Sequence, residues 1–122
     1  MNTARRGTKI ERKAIKILES LGMIVYRTER NRFGRRNDIF GCFDIIAKDH
    51  SGTAWIQVTT QANVSTKKKD VDKTMPDYLF FDATEVVEVW GYVPERGASY
   101  FNIYLRSANE GWKLRDRFSV VK

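Results

Sequence analysis

Between Phe43 and Thr60 the chain runs Phe43-Asp44-Ile45-Ile46-Ala47, then a polar stretch from Asp49 to Thr53, then Trp55-Ile56-Gln57-Val58-Thr59-Thr60. Two runs of apolar and β-branched residues around a short polar break predict a β-hairpin. Read with period two, Gln57 and Thr59 share one face of the second strand, and Asp44 lies on the first. A lone carboxylate among apolar neighbours is costly to bury. Asp44 must therefore meet either a hydrogen-bond donor or a cation.

The elements around the hairpin follow from periodicity. Thr8 to Leu21 reads as an amphipathic helix, with Ile10, Ala14, Ile17, Leu18 and Leu21 on one stripe and Gly22 as its stop. Glu11 sits roughly 80° from the centre of that stripe, at its border with solvent. There it can pair with a basic neighbour on the helix or point along the edge of the sheet the helix covers. Met23 to Thr28 reads as a short strand. Glu29 to Asp38 is a loop carrying Arg30, Arg32, Arg35 and Arg36, a composition suited to phosphate contacts. Ile39 to Lys48 is the next strand region, with Gly41 a bulge or close approach. Asp38 caps its own turn or serves as an auxiliary acid.

After the hairpin, Asn63 or Ser65 is a plausible N-cap for a second helix that carries Lys67, Lys68 and Lys69 in its first turns and stops before Pro76. Cations are disfavoured at that end of a helix, so the lysine cluster makes better sense beside a bound anion. Met75 to Ala83 reads as irregular. Glu85 to Val93 is the strongest strand signal, followed by a turn at Pro94 to Ala98, a strand from Tyr100 to Leu105 and a last strand or tail from Trp112 to Val121. Trp90, Tyr92, Tyr100 and Tyr104 at strand spacing read first as core or cross-strand pairs and second as base-stacking rings. His50 sits in the hairpin turn and reads as solvated.

Charge narrows the class of partner. Residues 1 to 36 hold 11 Lys/Arg against Glu11, Glu19 and Glu29, whereas residues 37 to 122 hold 11 Lys/Arg against 12 acids, so the net charge of +7 is entirely N-terminal in origin. A one-sided positive field suits a polyanion, and no amphipathic aromatic-basic helix favours a membrane surface instead. At 122 residues the chain is expected to form one domain, residues 1–122. No apolar run approaches the ~20 residues of a membrane span, and Met1 to Gly7 shows no signal-peptide pattern, so a cytoplasmic protein is expected. Cys42, the one cysteine, has no partner for a disulfide and reads as a buried thiol.

The order helix, strand, strand, strand, helix, strand, with an acid at the first helix edge, an acid on the second strand and a polar pair on the third, resembles the PD-(D/E)XK nucleases. The archaeal-type Holliday-junction resolvases are similar in length and layout. The resemblance covers Thr8 to Val93 and rests on Glu11, Asp44 and Gln57-Val58-Thr59. It implies an α/β, restriction-endonuclease-like αβββαβ core, a central mixed sheet flanked by helices, here with extra C-terminal strands. It also implies Mg²⁺ or Mn²⁺ held by Glu11, Asp44 and the residue at Gln57. In this chain Gln57 stands where the family has a carboxylate, and Thr59 stands where it has a lysine. The sequence also resembles bacterial and phage proteins in which a QVT-type third strand is followed by a basic cluster. A lysine reaching back from the second helix, Lys69 or Lys67, would then replace the missing charge.

The expectation is a metal-dependent endodeoxyribonuclease acting on branched DNA, with Glu11, Asp44, Gln57 and Lys69 at the catalytic centre. Arg5, Arg6, Lys9, Arg32, Arg35, Arg36, Lys67 and Lys68 would line the DNA. A homodimer is expected, joined through the apolar strands Val86 to Val93 and Tyr100 to Leu105. The alternative is a nuclease-like fold that binds DNA without cutting it, motivated by the missing acid and lysine.

Overall fold

In a computed structural model, residues 3–28, 39–40, 42–74, 84–107 and 111–120 are described, with side chains from residue 7 onward. The order is helix α1 (Thr3–Ser20), strands β1 (Ile24–Arg27), β2 (Ile45–Asp49) and β3 (Gly52–Thr60), a single 3-10 turn (Gln61–Asn63), helix α2 (Val64–Thr74), and strands β4 (Glu85–Val93), β5 (Tyr100–Ser107) and β6 (Gly111–Ser119). The six strands form one mixed sheet in sequence order. All neighbours are antiparallel except β3 and β4, which run parallel and so require the crossover that α2 supplies.

The sheet separates two cores. On one face α1 lays Ile10, Ala14, Ile17 and Leu18 over Ile45, Ala47, Ile56, Val58, Trp90, Phe101 and Ile103. On the other, Val64 and Val71 of α2 meet Phe43, Val87 and Val89, with Trp55 and Tyr104 alongside. Burying one such aliphatic side chain contributes on the order of 2 kcal/mol, so the two helices are held by their stripes rather than by helix propensity. α1 begins five residues before Thr8. Its first turns are polar and carry no apolar stripe, so periodicity is blind to them. It ends as expected at Gly22, which has φ +86°, with Gly22 N–H donating to Glu19 O (3.0 Å) and Met23 N–H to Leu18 O (3.2 Å), the two bonds of a Schellman cap. Leu21, expected on the buried stripe, is instead exposed where the helix stops.

β4 and β5 are interior strands, and Val87, Val89, Trp90, Phe101 and Ile103 on them are buried. The apolar strands expected to join two copies are therefore spent on the protein's own core. Trp90 packs against Phe101 and Phe118 at centroid distances of 5.5 and 5.6 Å, so it is a core residue and not a platform for bases. Buried Cys42 agrees with its reading as a quiet thiol. Gly41 and the whole stretch from Met75 to Ala83, Pro76 included, lie outside the described residues.

The β2–β3 hairpin closes tightly. Asp49 Oδ1 accepts Ser51 N–H (2.8 Å), Ser51 Oγ–H (2.6 Å) and Gly52 N–H (3.2 Å), and these donors hold its carboxyl below the usual range. Gly52 takes φ +153°, and a Cβ there would lie 1.8 Å from Thr84 O, the acceptor of Thr53 N–H. Gly52→Ala should therefore destabilise the fold by on the order of 3 kcal/mol in urea unfolding, through strain at the entrance to β3 and β4. Gly97→Ala, at φ +79° with nothing nearby, should cost only about 1 kcal/mol.

Candidate functional site

Asp44 does not lie on a regular strand. Phe43 belongs to the α2-side core and Ile45 to the α1-side core, whereas strict alternation would put both on one face. Ile45 is the register partner of Ile56, yet Asp44 N–H also donates to Ile56 O (2.9 Å). Two residues of one strand thus oppose one residue of the next, the signature of a β-bulge. Its effect is to turn the Asp44 carboxylate toward the backbone of β3, where Oδ2 accepts Val58 N–H at 2.8 Å. Asp44 O meanwhile accepts Thr28 N–H (3.0 Å) and Thr28 Oγ1–H (3.4 Å), tying in the end of β1. The bulge falls three residues after Gly41, where one had been expected. The donor anticipated for a buried acid is therefore present in part.

Upstream of Asp44 the chain makes a tight turn. Ile39 and Phe43 form an isolated bridge through Ile39 N–H to Phe43 O (2.9 Å) and Phe43 N–H to Ile39 O (3.0 Å), and Phe40 takes φ +55°. The rings of Phe40 and Phe43 close on Trp55 at 5.6 and 6.1 Å. This aromatic wedge fixes where β2 begins, and hence where the carboxylate stands.

Three further polar groups of the expected site are also buried. Glu11 is 2% exposed on α1, Asp44 2% and Gln57 6%, and Thr59 lies beside Gln57 on the α2 face of β3. Gln57 Nε2 donates to Val58 O (3.3 Å), so the amide nitrogen is engaged by the protein and the oxygen is the atom suited to a hard cation. Glu11 approaches from the α1 face and Gln57 from the α2 face. Asp44 is bonded to the β3 backbone at the splayed start of β2. Among the described residues, no three of His, Cys, Asp and Glu converge as a metal-holding group.

α2 sorts the three lysines. Val64, Lys67, Lys68 and Val71 form its inward stripe, with Lys67 and Lys68 half-buried. Lys68 Nζ lies 4.0 Å from the centre of the Tyr104 ring on β5, and Asp72, on the same flank, accepts Arg106 Nε–H (2.9 Å) and Trp112 Nε1–H (3.0 Å). That flank therefore faces β5 and β6, and Lys67 lies on the other flank of the stripe, on the β3 side of the helix. Lys69, expected at the catalytic centre, is exposed on the outward side, about 150° from the stripe's centre. Burial pushes the Lys68 ammonium below its usual range, against the pull of Asp72. Lys68, expected to line DNA, lies over Tyr104 and covers that ring. Tyr100 is likewise covered, by Arg117 at 4.3 Å.

Lys9 is exposed on α1. The side chains of Arg5 and Arg6, together with Arg32, Arg35, Arg36 and Asp38, lie outside the described residues, so five of the eight expected DNA-contacting residues are not placed. His50 is exposed in the hairpin turn, away from Asp44 at the far end of β2.

One buried acid escaped the sequence reading. Glu88 of β4 points into the α1-side core, where it accepts Trp90 Nε1–H (2.9 Å) and pairs with Arg115. Arg115 reaches it because the β5–β6 register skips that residue: Ile103 pairs with Asp116 and Tyr104 with Leu114. The only sequence signal was an acid in an apolar strand, the same signal that singled out Asp44. Burial raises the Glu88 carboxyl above the usual glutamate range; Trp90 and Arg115 pull it back and nearby Asp116 adds to the rise. A carboxyl that holds its proton more tightly when folded adds stability below its ordinary value of 4.5 and loses that contribution as pH rises through the raised folded value. Urea midpoints should accordingly fall over that interval in the wild type and change less in Glu88→Gln.

Set against family models, curated proteins and solved structures, the chain matches none of them. No helix among the described residues is long and apolar enough to cross a membrane.

Proposed function

We propose that the protein is a metal-dependent endonuclease that hydrolyses DNA phosphodiester bonds at branched structures, with a variant PD-(D/E)XK site. The observation that carries this reading is the Asp44 bulge. A carboxylate buried at 2% exposure is turned out of strand alternation at the start of β2, next to an amide-bearing β3 and within a chain whose charge surplus is N-terminal. Bulges recur beside active sites because they re-aim one side chain without disturbing the rest of the ladder. The element order αβββαβ, with two strands appended, supports the restriction-endonuclease-like assignment.

Asp44 with Glu11 from the α1 face, or Asp44 with the Gln57 amide from the α2 face, would by donor type suit Mg²⁺ or Mn²⁺. Asp44, Glu11 and the Gln57 amide offer only hard oxygens, with less negative charge than three carboxylates would give. When bound, the metal would polarise the phosphate and acidify a water. Asp44 holds its carboxylate in place through Val58 N–H, so little reorganisation is needed on binding. Lys67, on the β3 flank of α2, supplies the positive charge that Thr59 lacks. The basic residues of the N-terminal third neutralise flanking phosphates. No base-reading element enters this scheme, which favours recognition of DNA shape. A homodimer would set two such centres on the two strands of a junction.

A second reading, a DNA-binding protein without cleavage, is favoured by the Asp44–Val58 bond, which by itself satisfies part of the buried carboxylate. The two separate in one assay. With Mg²⁺ or Mn²⁺, wild type should nick plasmid and cut a labelled four-way junction, Asp44→Asn should lose on the order of 10³-fold in rate, and Lys67→Ala should lose on the order of 10²-fold. Lys69→Ala should stay within a few-fold of wild type. Wild-type cutting no faster than Asp44→Asn, with DNA binding intact, would select the binding-only reading.

A further inference from the structure

A groove of about 660 Å³ opens at the carboxyl ends of the parallel strands β3 and β4, between their last residues and the N-terminal half of α1. Its size is that of a ligand site rather than of a packing defect. Ile10, Tyr92, Val93 and Pro94 line it as an apolar wall, and Lys9 and Lys13 stand on its α1 side. No acidic side chain of the described residues lines it. The Tyr92 ring is braced by Phe101 at 5.2 Å.

We infer that this groove binds unpaired nucleotides of a DNA strand, with Lys9 and Lys13 on successive phosphates and the apolar wall against the bases. Lys9 and Lys13 are one helical turn apart, about 5–6 Å between Cβ atoms, a spacing that lets both engage one extended strand. They belong to the N-terminal third that holds the whole positive surplus, so the groove is charge-complementary to a polyanion. Charge alone would suit a duplex equally well. The apolar wall decides between them: a duplex keeps its bases stacked inside and presents only sugar and phosphate, whereas an unpaired strand offers flat apolar faces to Tyr92 and its neighbours.

The groove is distinct from the candidate metal centre. Around α1, Lys13 lies about 160° from Glu11, on the opposite flank of the helix. The inference therefore goes beyond the proposed cleavage and stands whether or not the protein cuts DNA. Should both hold, the preferred substrate carries an unpaired segment near the cut, as a flap or an open junction does.

The test is fluorescence anisotropy in EDTA, with a labelled oligothymidylate and a blunt duplex of equal length, over a range of salt. Wild type should bind the oligothymidylate about tenfold tighter than the duplex. Replacing both groove lysines (Lys9→Ala with Lys13→Ala) should flatten the slope of log affinity against log salt by about 1.4, the value for two single-strand phosphates. Removing the same charge elsewhere, with Lys48→Ala and Lys113→Ala, should leave the slope as in wild type. Pro94→Glu, at an exposed position, should weaken oligothymidylate binding about tenfold without moving the urea midpoint. Equal or tighter binding of the duplex, or equal flattening by both lysine pairs, would overturn the inference. Because no metal is present, loss of cleavage cannot mimic either outcome.

Discussion

The hydrogen bond from Val58 N–H to Asp44 Oδ2 is the contact around which the functional end of the molecule is arranged. A regular antiparallel ladder would give that N–H to a backbone carbonyl. Here a side chain takes it, because the bulge has shifted the backbone of β2 by one residue. The bond joins three strands, since the same residue's backbone bonds Thr28 after β1 and Ile56 in β3. It also sets a carboxyl group in a dry place, 2% exposed, where charge–charge interactions are stronger than in water. One carboxylate thus carries the structural role, and the proposed metal-binding role falls on the same group. That is why an amide at this position, which keeps the acceptor and removes the charge, separates them better than a truncation.

The second layer of organisation comes from α2. Asp72 binds Arg106 and Trp112, and Lys68 lies on Tyr104, so one flank of a short, polar helix is fastened to β5 and β6. The 3-10 turn before it is held as closely: Gln61 donates to Tyr104 Oη (2.8 Å) and accepts from Asn102 Nδ2 (3.1 Å). Gly91 makes room for this approach, since a Cβ there would come within 2.5 Å of Gln61 Oε1 and Val64 Cγ2. Only two residues of α2, Val64 and Val71, are buried and apolar, so these polar fastenings fix the helix's rotation. That rotation leaves Lys67 on the β3 side of the helix and turns Lys69 to solvent.

Much of this was legible in the sequence, for identifiable reasons. The stripe of α1, its glycine stop and the limits of β4 follow from periods of 3.6 and 2 in runs long enough to display them. The acid before β2 was legible as an acid out of place, whereas Glu11 read as lying at the border of the α1 stripe with solvent and is instead buried. The bulge at Asp44 was not, because apolar residues flank the acid on both sides and a slip of one residue leaves that pattern unchanged. The skipped residue at Arg115 was hidden in the same way, in a largely exposed edge strand where the run Lys113 to Arg117 shows no buried face. The lysine on the inner side of α2 could not be chosen from three in a row, since the choice depends on cross-strand partners 34 and more residues away. The groove beside Lys13 is a property of how α1 crosses the parallel pair, and no local motif marks it.

The central claim is that Asp44 holds a divalent cation as well as a backbone N–H. Calorimetric titration of Mn²⁺ into the wild-type protein and into Asp44→Asn tests it most directly, because it reads the metal without requiring turnover. The account predicts a saturable heat in the wild type that disappears in Asp44→Asn, with the two proteins unfolding at similar urea concentrations. Saturable binding of equal strength in both, or none in the wild type, would contradict it.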